Sequence, residues 1–60
     1  MRLFTMNELM RLTRIELCDL LERIANVLRN YPVGSSEYHI AIMNLRSVCR
    51  ILMQRDLSLA

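Results

Sequence analysis

The sequence predicts an all-α protein, an antiparallel helical hairpin that follows a short N-terminal helix. Three observations support this fold class. Apolar residues recur at helical spacing in two long segments, and neither segment shows the strict alternation of a half-buried strand. Two Thr-x-x-Glu patterns, at residues 5–8 and 13–16, have the spacing of capping boxes. The only Pro and the only Gly of the chain, Pro32 and Gly34, lie between the two segments and predict a turn.

The two capping boxes divide the first half of the chain into a short helix, a kink and a long helix. Each Thr can cap the helix that follows it, so we expect helices over about residues 6–12 and about residues 14–30. The long helix is amphipathic, with its charged residues on the side opposite an apolar stripe. That stripe consists of Leu17, Leu20, Leu21, Ile24, Val27 and Leu28.

A third helix is predicted over about residues 36–55. Pro32 disfavours the helical conformation at Tyr31, which ends the preceding helix, and Ser35 and Ser36 are suitable N-caps for the next one. Since a short link joins two amphipathic helices, we expect them to pack as an antiparallel hairpin. The apolar stripe of the third helix consists of Tyr38, Ala41, Ile42, Leu45, Val48, Cys49 and Leu52.

The predicted hairpin has a definite register. With its turn centred on Val33, residues whose numbers sum to about 66 or 67 lie opposite each other. We expect Cys18 and Cys49 to be reduced, buried side chains that fill the seam, with a redox-sensitive disulfide as the alternative. The expected pairs are Leu21 with Leu45, Ala25 with Ala41, Leu28 with Tyr38, and Cys18 with Cys49.

The length and composition limit the size of the fold and its location. The chain has 60 residues, which we assign to a single small helical domain, residues 1–60. Hydrophobic residues make up 53% of it, which excludes a disordered protein. The longest apolar run, residues 40–43, is far too short to cross a membrane, and no signal peptide is recognisable. We therefore expect a cytoplasmic protein without a membrane partner.

The predicted third helix has more apolar surface than the seam of one hairpin can bury. A domain of 60 residues has a small core, so we expect two copies to associate into a dimeric helical bundle. Off the main stripe, further apolar residues form a second stripe that the N-terminal segment covers only in part. We assign Ile40, Met43 and Ile51 as apolar contacts of a protein partner, with Arg46 and Arg50 as polar contacts beside them.

No set of side chains in the sequence suggests catalysis or ligand binding. The single histidine, His39, is expected at the opposite end of the hairpin from Cys49, so a Cys–His pair cannot form within one chain. One histidine and two cysteines do not complete a zinc site. A single glycine excludes a glycine-rich phosphate loop. We therefore predict no catalytic residue, cofactor, metal or small-molecule substrate.

The arginines suggest nucleic acid as an alternative partner. All eight basic residues are arginine, and six of them lie near the two ends of the chain. An antiparallel hairpin brings these ends to one pole, which a dimer would double into an anion-binding surface. The residues of this predicted arginine pole that we assign to nucleic-acid contacts are Arg2, Arg11, Arg14, Arg50 and Arg55.

The order of elements also resembles that of the ribbon-helix-helix DNA-binding proteins. Residues 9–12 would correspond to the end of a strand, residues 13–30 to the first helix, and residues 34–37, Gly-Ser-Ser-Glu, to the turn before the second helix. The resemblance implies an intertwined dimer whose paired strands enter the major groove, with Asn7 and Arg11 near base edges. It also implies that backbone amides of the turn hold phosphate.

The function that we predict is non-catalytic. We expect a small interaction or regulatory protein that docks on another macromolecule through an apolar helix face. The alternative is a small dimeric DNA-binding transcriptional regulator that uses the arginine pole.

Overall fold

The chain forms three helices joined by short links. The structure, a computed structural model, describes the backbone of residues 1–59 and the side chains of residues 1–57. Ala60, the last residue of the predicted domain, lies outside the described residues. The helices are α1 (Met6–Met10), α2 (Arg14–Asn30) and α3 (Ser36–Leu59). No strand occurs in residues 1–59, so the all-α prediction is confirmed.

Both predicted capping boxes are present and set the starts of α1 and α2. The hydroxyls of Thr5 and Thr13 each accept a hydrogen bond, at 3.2 Å, from the backbone N–H of the glutamate three residues later. In return, Glu8 and Glu16 accept from the backbone N–H of their threonines at 3.1 and 2.9 Å. α1 ends at Met10, earlier than predicted, because the chain must become extended at the second cap.

The link between α2 and α3 follows from its Pro, Gly and Ser residues. Tyr31 is extended, with φ −116° and ψ 144°, as expected before Pro32. Gly34 has a φ of +92°, which residues with a side chain rarely adopt. The Ser35 hydroxyl accepts a hydrogen bond from the backbone N–H of Tyr38 at 3.2 Å. The start of α3 therefore agrees with the prediction.

α3 extends to Leu59, past the predicted end at about residue 55. The sequence from Ser36 to Leu59 contains no Pro or Gly that would end a helix. Asp56, in the additional turn, forms an ion pair with Arg14 at the start of α2. This pair ties the last turns of α3 to α2.

The core lies between α2 and α3 and is completed by the N-terminal strap, which we define as residues 1–12. α2 and α3 make the larger contact, and α1, within the strap, packs on α3. Phe4 and Leu12 of the strap pack against the core. Among the described side chains, the buried hydrophobic residues are Leu9, Leu17, Leu20, Ile24, Ala41, Val48 and Ile51.

The buried side of α3 is rotated relative to the predicted stripe. Its buried residues are Ala41, Asn44, Val48 and Ile51. The remaining members of the predicted stripe are exposed or half-buried, and these are Tyr38, Ile42, Leu45, Cys49 and Leu52. The strap causes the rotation, because it packs on one flank of α3 and extends the core toward that flank.

The predicted burial of Cys18 and Cys49 in the hairpin seam is wrong. Cys18 and Cys49 are free thiols, and both are exposed rather than buried in a seam. Ala25 is exposed, although Ala41 is completely buried. The rotation of α3 accounts for the exposure of Cys49, since it turns Asn44 to the buried side of the helix instead.

Candidate interaction surfaces

α3 presents three adjacent stripes of side chains, each with alternating spacings of three and four residues. Because this spacing keeps residues on one side of a helix, each stripe is a continuous surface. The covered stripe consists of Glu37, Ala41, Asn44, Val48, Ile51 and Arg55. The open stripe consists of Tyr38, Ile42, Leu45, Cys49, Leu52 and Asp56. The outer stripe consists of His39, Met43, Arg46, Arg50, Met53 and Leu57.

The covered stripe lies under the N-terminal strap. At its centre, the fully buried Asn44 donates a hydrogen bond from its amide nitrogen to the carbonyl of Arg2 at 2.9 Å. Its Oδ1 accepts a hydrogen bond from the backbone N–H of Phe4 at 3.0 Å. Further along, Arg55 donates to the carbonyl oxygen of Met10 at 3.0 Å. Both ends of the strap are therefore tied to α3, and this stripe is unavailable to a partner.

The strap is also held by its own charges. Arg2 forms an ion pair with Glu8, and its guanidinium lies 4.3 Å from the centre of the Phe4 ring. The Arg2 guanidinium, with the backbone N–H of Thr5, lowers the pKa of Glu8 to about 2. Glu8 therefore stays ionised well into the acid range, and it connects the first residues of the strap to α1.

The strap covers only one flank of the α2–α3 pair. A groove of about 330 Å³ separates Phe4 and Leu12 from the side of α2 that carries Glu16, Leu20 and Arg23. The other side of α2 carries a stripe with the same three-and-four spacing, made of Arg14, Cys18, Leu21, Ala25 and Leu28. The ion pair between Arg14 and Asp56 connects this stripe to the open stripe of α3.

The two connected stripes form the open face, which has no charged side chain between the ion pair and the link. We define it as Cys18, Leu21, Ala25 and Leu28 of α2 with Tyr38, Ile42, Leu45, Cys49 and Leu52 of α3. None of these nine side chains is fully buried. The four leucines pack partly against the core, whereas the two cysteines and the alanine are exposed. An apolar face of this kind is typical of a contact site.

The outer stripe combines apolar and basic side chains in water. Met43, Met53 and Leu57 are 42%, 65% and 73% exposed. Arg46 and Arg50 are also exposed, and neither forms an ion pair among the residues that the structure describes. This stripe therefore differs in charge from the uncharged open face beside it.

The predicted set of partner contacts is divided between these surfaces. Met43, Arg46 and Arg50 share the outer stripe. Ile51 is only 3% exposed and belongs to the core, so the assignment of this residue to a partner is wrong. Ile40 is half-buried and lies outside all three stripes. The sequence prediction groups these residues by helical spacing alone. Spacing does not reveal that the strap covers the side of α3 that carries Ile51.

Sequence reasoning missed Met53 and Leu57 as members of an exposed surface. Leu57 lies beyond the predicted end of the third helix, and Met53 lies in its last predicted turn. A signal was present, because the three-and-four spacing that begins at Met43 continues through both residues.

Two arginines of the predicted pole lie where the end of α1, the start of α2 and the end of α3 meet. Arg14 is paired with Asp56, and its hydrogen bond lowers the pKa of that carboxyl. Arg55 donates to the Met10 carbonyl at 3.0 Å. Both side chains are therefore engaged within the chain.

The other three arginines of the predicted pole are not gathered into one patch. Arg11 follows α1 and lies at the same end as Arg14, where it is exposed. Arg2 lies elsewhere, because its carbonyl is bonded to Asn44 in the middle of α3. Arg50 belongs to the outer stripe. The predicted arginine pole is therefore incomplete in this fold.

The features implied by the ribbon-helix-helix resemblance are also absent where they can be compared. Residues 6–10 are helical, and in residues 1–59 the backbone forms no strand that could serve as a ribbon. The backbone N–H of Ser35 donates to the Pro32 carbonyl at 3.1 Å, so it is not free to hold phosphate.

A second groove, of about 600 Å³, lies beside the link between α2 and α3. Its titratable lining residues are Tyr38 and His39, and no acidic side chain or cysteine lines it. In the part of the chain that the structure describes, no three His, Cys, Asp or Glu side chains are grouped so that they could hold a metal ion. We assign no chemistry to this groove.

Two further findings bear on the interpretation of these surfaces. No described helix combines the length and the hydropathy that a membrane crossing requires. In comparisons with known proteins, no family model matches the chain, and no curated protein or solved structure is significantly similar to it.

Proposed function

We propose that this chain is a non-catalytic interaction protein that acts as a homodimer, with the open face as the contact between the two copies. The observation that carries the proposal is the open face, nine neighbouring uncharged residues of which none is fully buried. In the proposal, α2 and α3 are the arms of an antiparallel hairpin, which the Arg14–Asp56 ion pair supports. Two such hairpins stacked face to face make a four-helix bundle.

The composition of the open face favours a second copy as its occupant. A face without charged side chains offers nothing that would select a charged partner. A second copy presents the same uncharged surface, and two-fold symmetry pairs such a surface with itself. Both contributing stripes have the spacing with which helices pack side by side in bundles.

The exposed area of the chain also favours association. A compact monomer of 7.1 kDa is expected to expose about 4,100 Å², whereas this chain exposes 4558 Å². Its dimensions are 38 × 19 × 15 Å, so it is elongated and has little interior for its surface. Stacking the open faces would remove apolar area from water, which contributes about 25 cal/mol for each Å² against the entropy that association costs.

Ala25→Glu tests the proposal without disturbing the core. Ala25 is exposed in the single chain, whereas in the dimer the new carboxylate would be buried against apolar side chains without a partner. We expect sedimentation equilibrium over about 10–300 μM to give a dimer for the native chain and a monomer for the variant. Asn26→Glu is the matched control, because Asn26 is exposed, lies outside the open face and adds the same charge.

Cys18 and Cys49 provide a second measurement, because both thiols lie on the open face. We expect their reaction with a maleimide to slow as the native protein is concentrated and to remain fast in Ala25→Glu. A native chain that stays monomeric over the whole range, or an Ala25→Glu variant that dimerises as well as Asn26→Glu, would contradict the proposal.

A further inference from the structure

The outer stripe of α3 is a line of side chains along one side of the helix. From His39 to Leu57 its six residues are separated by four, three, four, three and four positions. This spacing places them in line along about 27 Å of helix, as in the seam of a coiled coil. The apolar members Met43, Met53 and Leu57 are 42%, 65% and 73% exposed. In the single chain these three apolar side chains are therefore open to a partner.

The centre of the outer stripe carries uncompensated positive charge. Arg46 and Arg50 lie one turn apart, where like charges repel each other. No acidic residue occurs three or four positions before or after either of them. The ion pairs that the structure describes involve Arg2 and Arg14 instead. These two arginines therefore lack the carboxylates that a solvated helix surface commonly provides.

We propose that the outer stripe binds an acidic amphipathic helix of a different protein. Carboxylates opposite Arg46 and Arg50 would form charge-assisted hydrogen bonds with both guanidinium groups. Apolar residues of the partner, toward both ends of the stripe, would cover the exposed methionines and Leu57. Methionine suits such a contact, because its unbranched side chain adapts to the shape of a partner.

The outer stripe of a second copy does not fit the outer stripe of the first. Two outer stripes in contact would bring four arginines together, and they contain no carboxylate. The outer stripe lies on the opposite side of the open stripe from the covered stripe, so it points away from the core. It therefore stays accessible when two copies stack on their open faces, and the inference holds whether or not the dimer forms.

The order of residues along the stripe also favours a protein helix over an anionic membrane or nucleic acid. Arg46 and Arg50 lie in the middle, with exposed apolar residues on both sides of them. Inserting those apolar residues into a membrane surface would carry the arginines below the headgroups, which is unfavourable. On a DNA duplex, Met53 and Leu57 would face phosphates and have no apolar counterpart.

The first arm of the test uses two synthetic helical peptides. One has Leu opposite Met43, Met53 and Leu57 and Glu opposite the two arginines. The other has Lys in place of those Glu residues. We expect fluorescence anisotropy at about 50 mM salt to give at least roughly tenfold tighter binding of the Glu peptide, with a preference that declines as salt rises. Absence of binding, or equal affinity for both peptides, would overturn the proposal.

The second arm locates the binding on α3. Arg46→Gln/Arg50→Gln should weaken binding of the Glu peptide by at least roughly tenfold and abolish its preference over the Lys peptide. The matched control, Arg23→Gln/Arg29→Gln, removes the same two charges from exposed positions of α2 and should bind as the native chain does. Far-UV circular dichroism verifies that both variants retain their helices.

The third arm compares the sources of negative charge. Native protein is titrated with a random DNA duplex and with vesicles that contain phosphatidylserine, at the same salt concentration. We expect the duplex and the vesicles to bind more weakly than the Glu peptide. Tighter binding of the duplex or the vesicles than of the Glu peptide would overturn the proposal. Equal weakening of peptide binding in the two double variants of the second arm would also overturn it.

Discussion

The two flanks of the α2–α3 pair contain similar apolar residues but lie in different environments. On one flank the strap buries Leu9 completely and packs Phe4 and Leu12 against the core. On the other flank, nine uncharged residues of the open face are at most half-buried. The strap therefore covers one flank of the pair, and we propose that a second copy of the chain covers the other.

The two flanks also differ in how their contacts are fixed. The strap is positioned by directional bonds from Asn44 and Arg55 to backbone atoms. The open face has only the ion pair at its end, between exposed Arg14 and Asp56, and exposed pairs of this kind contribute little to stability. Directional bonds fix one contact geometry for the strap, whereas the contact of an uncharged surface is determined by its shape and its area alone.

The largest effect is expected from removing the apolar contact of the covered flank. Leu9→Ala leaves a cavity at a fully buried position and should lower the free energy of unfolding by about 2–5 kcal/mol in urea titrations. The neighbouring Met10 is 61% exposed, so Met10→Ala should change it by less than about 0.5 kcal/mol. Equal losses in the two variants would mean that the strap is not packed as described.

A smaller effect is expected from Asn44→Ala, which removes the directional bonds of the strap. The Phe4 N–H and the Arg2 carbonyl lose their partner, so we expect a loss of about 1–3 kcal/mol, with faster hydrogen exchange at the Phe4 amide. Ser47→Ala is the control, because the Ser47 hydroxyl bonds only to the Met43 carbonyl within α3. A Phe4 amide that exchanges equally slowly in both variants would contradict this account of Asn44.

The smallest effect is expected from acid that protonates Glu8 of the strap. The pKa of Glu8 is lowered to about 2 by Arg2, from an ordinary value of 4.5. A lowered pKa in the folded state contributes stability that is complete above about pH 4.5 and is lost as the pH falls toward 2. NMR shifts of the Phe4 ring should therefore stay constant through most of this range and change only as the pH approaches about 2, where Glu8 of the folded chain takes up its proton. In Glu8→Gln that dependence on pH should be absent, and its persistence would contradict the assignment to Glu8.

The elements that the sequence predicts well depend on residues close together in the chain. The starts of α1, α2 and α3 follow from Thr5, Thr13 and Ser35, each of which caps a backbone amide three residues away. Tyr31 leaves the helical region because of its immediate neighbour, Pro32. Such local effects are complete within one turn and need no knowledge of the tertiary fold.

The burial of α3 could not be predicted in the same way. Asparagine is a polar residue that sequence alone places in water. Asn44 is buried because its amide bonds to backbone atoms of Phe4 and Arg2, which lie 40 and 42 residues earlier in the chain. The burial of Ile51 depends on the same packing of the strap on α3, so helical spacing alone assigns this residue to a partner. Which residues of a helix are exposed to a partner is therefore the part of the prediction that most depends on long-range contacts.

The long sequence separation between Asn44 and the strap also sets the order in which the molecule can assemble. Phe4 is made 40 residues before the side chain that holds it. At a synthesis rate of about 5–20 residues per second, this separation corresponds to a delay of about 2–8 s. Throughout that interval Leu9 has no buried position to occupy. The bond that fixes Phe4 therefore cannot form until 40 further residues have been made.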